Sequence, residues 1–148
     1  MKYFGSIFEF THQRNADLMR AYRHHAALMA RIDNVELGRR VVNSPSARFW
    51  VSAERATVVV SQLLRGLPVL RSMRRHKREM FEEIYRRFLH LRRSMPAARI
   101  IDVVSVVVDS PAPRFYMTPR SAIETIYKIK NGFYERQRQN LKHIKGKR

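Results

Sequence analysis

The sequence predicts an all-α fold: two tandem, pseudo-symmetric three-helix units of helix-turn-helix-like layout, followed by a basic C-terminal tail. Three observations predict it. The 148 residues contain a direct repeat. Apolar residues within each copy recur at helical spacing. The last helix of each copy is bracketed by start and stop signals.

The repeat comes first, because missing one misreads the whole fold. Residues 41–52, VVNSPSARFWVS, recur without a gap as residues 107–118, VVDSPAPRFYMT. The register is 66 residues, Asn43 falling on Asp109. In the same frame Leu18 falls on Ile84, Arg20 on Arg86, Tyr22 on Phe88, Ala56 on Ala122 and Gly66 on Gly132. A match that keeps its frame over that length marks a duplication.

Each copy divides into three elements. In the second, a first helix over about residues 78–93 is carried by Phe81, Ile84, Tyr85, Phe88 and Leu91. A second helix is expected from Pro96, a favoured first-turn residue, to about residue 108. Its run Val103-Val104-Ser105-Val106-Val107-Val108 would also suit a buried strand. The aligned residues 36–42 of the first copy would not, so helix is preferred. The third helix has Thr118 as N-cap, Pro119 in the first turn, Ala122, Ile126 and Ile129 as its apolar stripe, and Asn131-Gly132 as its stop. The first copy gives helices over about residues 15–29 and 34–42, then one running from the Ser52 cap to Arg65 with Gly66 as the stop. The organisation read from this is an N-terminal extension (1–13), a first unit (14–66), a basic linker (67–78), a second unit (79–133) and a basic tail (134–148).

Charge sets the function class. Thirty Lys and Arg stand against twelve Asp and Glu, a net +18. Such an excess implies a polyanionic partner: duplex DNA first, RNA second. Residues 14–66 hold nine basic against four acidic side chains, and residues 67–148 hold twenty against seven. The footprint is therefore placed on the linker (Arg74, Arg75, Lys77, Arg78), the third helix of the second copy (Arg120, Lys128, Lys130) and the tail (Arg136, Arg138, Lys142). Arg48 and Arg114, each just ahead of a third helix, are added as phosphate contacts at a helix N-terminus. Phe49 and Phe115 read as core plugs. Trp50 and Tyr116 read as buried aromatics in preference to base-stacking ones. Where the second copy's third helix shows Arg120, Lys128 and Lys130, the first copy's shows Val58, Val59 and Val60. The first unit is accordingly expected to pack on the second or on another subunit.

Catalysis has no support. The six histidines lack metal spacing, no phosphate loop or nucleophile motif occurs, and Glu82-Glu83 lie early in a helix. No metal, cofactor or enzymatic activity is expected. Cysteine is absent, which fits a reducing compartment. No signal peptide and no membrane-length apolar run is read, so a cytoplasmic protein with no membrane partner is expected.

The segments from Ser44-Pro45 to Ser52 and from Ser110-Pro111 to Thr118 resemble those of small basic proteins of bacterial mobile elements and phages that carry a duplicated helix-turn-helix-like unit. The likeness would cover nearly the whole chain. It implies a bacterial or phage-infected cytoplasm and a nucleic-acid role by association. Three roles fit: a DNA-binding protein, an RNA-binding accessory subunit of a ribonucleoprotein or reverse-transcriptase complex, and a structural virion or nucleoid component.

Overall fold

The computed structural model describes residues 2–146, with the side chains of residues 10–140. The fold is all-helical: α1 (Lys2–Ala27), α2 (Asn34–Val42), α3 (Ala53–Leu64), α4 (Arg75–Arg92), α5 (Ile100–Val108), α6 (Pro119–Lys130) and α7 (Phe133–Gly146), with no strand among the described residues. The order recurs in the repeat register. Moving α2 and α3 on by 66 residues gives the bounds of α5 and α6.

Local chemistry explains most ends. Ser52 is extended (φ −68°, ψ 148°) and its hydroxyl accepts from the Arg55 amide at 3.1 Å, the N-cap the sequence predicts. Gly66, at φ +77°, closes α3. The Gly66 amide donates to the Leu63 carbonyl and the Leu67 amide to the Gln62 carbonyl, both at 3.0 Å. That pair of bonds is the Schellman arrangement, and the left-handed residue in it favours glycine. Gly132, at φ +71°, stands at the same place after α6.

Four boundaries differ from expectation. Residues 2–13 are not a separate extension but the opening turns of α1. Half of the expected linker, from Arg75, is the first turn of α4. The helix expected from Pro96 begins at Ile100, because Arg99 is still extended at φ −66° and ψ 150°. The expected tail is α7 through Gly146. The valine run is helical because Val103, Val104, Val107 and Val108 fall on one face and are all buried. Burial of that face outweighs the modest β preference of valine.

The larger difference is in which helices belong together. The chain divides into two compact units, Val42–Thr118 and Met1–Val41 with Pro119–Arg148. The central unit contains α3, α4 and α5, each packed on the other two, so the third helix of the first copy joins the first two of the second. In the terminal unit α1 packs on α6, and α6 on α7. The compact units thus have other bounds than the 14–66 and 79–133 read from the repeat. In this division α5 and α6, the second and third helices of the expected helix-turn-helix-like unit, belong to different units.

The cause lies in the repeated Ser-Pro loops. Pro45 and Pro111 keep the preceding residue out of helix, and the loops then pair with each other. The Ser46 amide donates to the Ala112 carbonyl at 3.0 Å, and the Ala112 amide to the Ser46 carbonyl at 3.1 Å. Phe49 N–H bonds Val108 O, and Phe115 N–H bonds Val42 O, each at 3.0 Å. All four bonds run from one copy of the loop to the other. The central core gathers beside this bridge around Phe49, Val59, Val60, Phe81, Ile84, Phe88, Val103 and Val104, all essentially inaccessible.

Side-chain volume fits the exchanged partners. In the terminal unit a Cβ on Gly38 would lie 2.9 Å from Ile123 Cγ1 and 2.9 Å from the Pro119 carbonyl oxygen, so α2 approaches α6 only because position 38 lacks a side chain. The repeat equivalent of Gly38 is Val104, fully buried on α5. The equivalents of Pro119 and Ile123 are the smaller Ala53 and Thr57 on α3. Small meets large in both pairings. Gly38→Val should therefore destabilise the protein by about 1–3 kcal/mol through overpacking. Adding Pro119→Ala and Ile123→Thr should recover part of that stability, read from urea midpoints. Effects that simply add would show that the close approach does not matter.

Candidate nucleic-acid interface

The start of α4 concentrates cations where a helix least favours them. Helix stability prefers acids in the first turn, and α2, α3 and α5 carry Glu36, Glu54 and Asp102 there. The first turn of α4 has no acid; it holds Arg75, Lys77 and Arg78 behind an N-cap arginine, Arg74. Arg74 is extended and makes no side-chain cap. The first-turn amides of Arg75, His76 and Lys77 have no acceptor within the helix by its geometry. His76 Nδ1 is buried with no hydrogen-bond partner.

Some of these cations are paired. Arg75 reaches Glu79 at 2.9 Å and Arg78 reaches Glu82 at 3.8 Å. Both pairs run from cation to acid along the chain, the weaker order on a helix. The guanidinium of Arg75 bonding Glu79 holds that carboxyl below its usual range, against a small opposing effect of burial. Arg71, Arg74 and Lys77 are exposed and make no ion pair among the described residues. Arg71 stands at the head of the same basic run, which the sequence already marks as one stretch of charge.

Arg114 joins the cluster from the second Ser-Pro loop, with Nη1 3.9 Å from Glu79 and nearly half its side chain exposed. Its repeat counterpart, Arg48, has a different role. Nε donates to Phe49 O and Nη2 to Val51 O, both at 3.0 Å, and Nη1 lies 3.1 Å from Asp109 Oδ1. Its guanidinium carbon lies 5.5 Å from the Trp50 ring centre. Arg48 ties one loop to the other, and its donors are already directed at protein acceptors. Phe49 and Phe115 are buried as expected. Tyr116 is half-buried and stacks on Phe49 at 6.0 Å between ring centres.

Tyr116 is the one non-glycine residue at positive φ, +55°, among the described residues, a strained position for a bulky side chain. Beside it lies an open depression of about 480 Å³ lined by Glu79, Glu82, Glu83, Arg86, Pro113, Arg114 and Tyr116. Burial, with the nearby Glu83 charge, pushes the Tyr116 hydroxyl up. The Arg86 guanidinium holds the Glu83 carboxyl down. No sequence signal separates Tyr116 from Trp50 in backbone conformation.

The remaining predicted cations lie in the terminal unit. Arg120 is almost fully exposed at the start of α6 and pairs with Glu124 at 3.1 Å. Lys130 Nζ sits 4.2 Å from the Tyr22 ring centre and donates to its hydroxyl, fastening α6 to α1. Lys128 Nζ lies 5.2 Å from the Phe133 ring centre. Arg136 Nη1 donates to the Asn131 carbonyl at 2.9 Å. Arg138 is exposed. Lys142 lies on α7, and its side chain is outside those described. Among the described residues, no group of acids and histidines could hold a metal ion. Among them, no helix is long and apolar enough to cross a membrane.

Two equivalent arginines should thus behave differently. Arg48→Ala strips bonds from two backbone carbonyls and should cost about 1–3 kcal/mol of stability. Arg114→Ala removes a long, half-exposed pair and should cost about 0–1 kcal/mol. Thermal melts of the two variants check this, and equal costs would refute the distinction. No protein-family model, curated protein or solved structure matches the chain.

Proposed function

We propose that this protein binds nucleic acid without catalysing a reaction, duplex DNA ahead of RNA, by contacts to phosphate. The principal contact is the start of α4, with Arg71, Arg74, Arg75, Lys77, Arg78 and Arg114. The observation that carries the reading is the uncapped first turn of α4, which holds Arg75, Lys77 and Arg78 behind Arg74; like α1 and α6 it has no acid there, whereas α2, α3 and α5 carry one. Cations at that end oppose the helix dipole, so stability does not account for them. A phosphate supplies what the end lacks: an acceptor for the open amides and a counter-charge for the side chains. Arg120, Arg136 and Arg138 extend the basic surface of the terminal unit. With α5 and α6 in different units, base reading by a helix-turn-helix loses its support, and sequence-tolerant binding is the better expectation.

The test sets binding against stability. Replacing Arg74 and Lys77 together by Ala should flatten the dependence of log affinity on log salt by about 2 on duplex DNA, roughly 0.9 for each phosphate no longer neutralised. The same change should leave the melting temperature unchanged or raise it slightly, since it relieves the dipole. Matched duplex DNA, single-stranded DNA and RNA, each titrated at two salt concentrations, rank the partners. An unchanged salt slope on all three would remove the start of α4 from the interface.

A further inference from the structure

The loop between α1 and α2, residues 28–33, holds large apolar side chains away from the protein. Leu28 is 66 % exposed, Ile32 52 % and Val35, in the first turn of α2, 81 %. Such side chains scattered singly need no explanation, but these three stand within eight residues. Arg31, exposed between Leu28 and Ile32, makes no ion pair among the described residues. Arg39 stands four residues on from Val35, and so on the same face of α2. The two acids near in the chain are both engaged. Asp33 accepts from the Val35 amide at 3.0 Å, and Glu36 is shared by Arg39 and Arg40 at 2.6 and 3.0 Å.

The repeat supplies an internal control. The equivalent loop of the second copy, between α4 and α5, is closed by the same backbone bonds. Leu28 N–H bonds His25 O at 3.2 Å, as Ser94 N–H bonds Leu91 O at 3.1 Å. Met29 N–H bonds Ala26 O and Met95 N–H bonds Arg92 O, both at 3.2 Å. Leu37 N–H to Asp33 O and Val103 N–H to Arg99 O complete the match. Yet that loop has Ser94 for Leu28, Ala97 for Arg31 and Ala98 for Ile32. Its Met95 and Ala98 pack against the central core. The backbone therefore forms without a large apolar side chain at either position, so folding does not account for Leu28 and Ile32.

We propose that this loop is an apolar wedge that enters duplex DNA from the minor groove, Leu28 and Ile32 parting a base step while Arg31 meets the groove beside it. The inference rests on the nucleic-acid reading above and deepens it: the protein kinks the duplex it holds. Shape and charge choose this occupant. Side chains this exposed form a projection, and a projection needs a cleft. The depression beside Tyr116 is lined mainly by glutamates and arginines and gives an apolar tip no apolar cover. A second copy of the chain also brings the same net charge of +18. The minor groove is a negative cleft that draws in arginine, and an opened base step seats apolar side chains out of water. Such insertion selects deformable steps instead of particular base edges, which agrees with binding through phosphate.

The experiment uses the full chain and a duplex of about 25 base pairs labelled at both ends, so that energy transfer reports the bend. The unaltered protein should shorten the end-to-end distance. It should also bind a duplex with one central mismatch roughly tenfold tighter than the matched one, because the mismatch has already given up part of its stacking. Leu28→Ser with Ile32→Ala, the residues of the equivalent loop, should keep the melting temperature and the salt slope but lose the bend and the mismatch preference. Leu28→Ser alone should lose part of both, and it serves if the double change disturbs folding. Binding by the unaltered protein without a bend, or a bend that survives these changes, overturns the wedge alone. So does loading on phosphatidylcholine vesicles containing phosphatidylglycerol that depends on Leu28 and Ile32 while the DNA stays straight. No binding to duplex DNA, single-stranded DNA or RNA at low salt overturns the nucleic-acid reading itself.

Discussion

The antiparallel bridge between Ser46 and Ala112 joins two loops that the repeat makes equivalent, and the arrangement of helices in this protein follows from it. Two backbone bonds at its centre and one on either side, from Phe49 to Val108 and from Phe115 to Val42, satisfy loop amides that a local turn would have satisfied within each copy. Once the loops pair, the segments leaving them are committed. Ser52 opens α3 into the unit that holds α4 and α5, and Pro119 opens α6 into the unit that holds α1. Arg48 reinforces the bridge by holding two carbonyls of its own loop and Asp109 of the other. The volumes of Gly38 and Val104 suit the same exchange.

Most of the acidic side chains are drawn into pairs with arginines three or four residues away: Asp17 with Arg20, Glu36 with Arg39 and Arg40, Glu83 with Arg86 and Arg87, Asp102 with Arg99. Each such pair is worth little to an exposed helix. Their collective effect is on the field: the carboxylates offset arginines one by one along the helices, Glu79 and Glu82 doing so for Arg75 and Arg78, while Arg71, Arg74 and Lys77 keep no acidic partner among the described residues. The distribution of pairs, beyond net charge, makes one surface of this basic protein more attractive to phosphate than another.

Elements bounded by strong local chemistry were legible in the sequence. The third helices, with Ser52 and Pro119 at one end and Gly66 and Gly132 at the other, lie where their caps put them. So does α2. The opening of α1 carries Phe4, Ile7 and Phe8 at i, i+3, i+4 spacing, so the reading of residues 1–13 as a separate extension passed over a helical pattern that the sequence shows. The assignment of helices to units was not legible. A repeat register shows which residues are equivalent, but an equivalent loop can turn back or pair with its copy, and both leave the same sequence pattern. Among the candidate site residues, the basic run before Phe81 was plain from composition. The divergence of Arg48 from Arg114 was hidden, since it depends on Asp109 standing where the first copy has Asn43.

The division into units also orders events during synthesis. The central unit is one unbroken stretch, so every residue of it has been made by the time Thr118 is added. The terminal unit is split around it: α1 and α2 precede the central unit, and α6, which packs on α1, follows it. Until then the apolar face of α1, with Leu18 and Ala21, lacks the α6 side of its packing. Joining α1 to α6 through a disordered intervening chain would require closing a loop of roughly a hundred residues, a slow, long-range contact. A folded central unit replaces that loop with a compact body. The packing of α1 on α6 therefore waits on a segment made after the whole central unit.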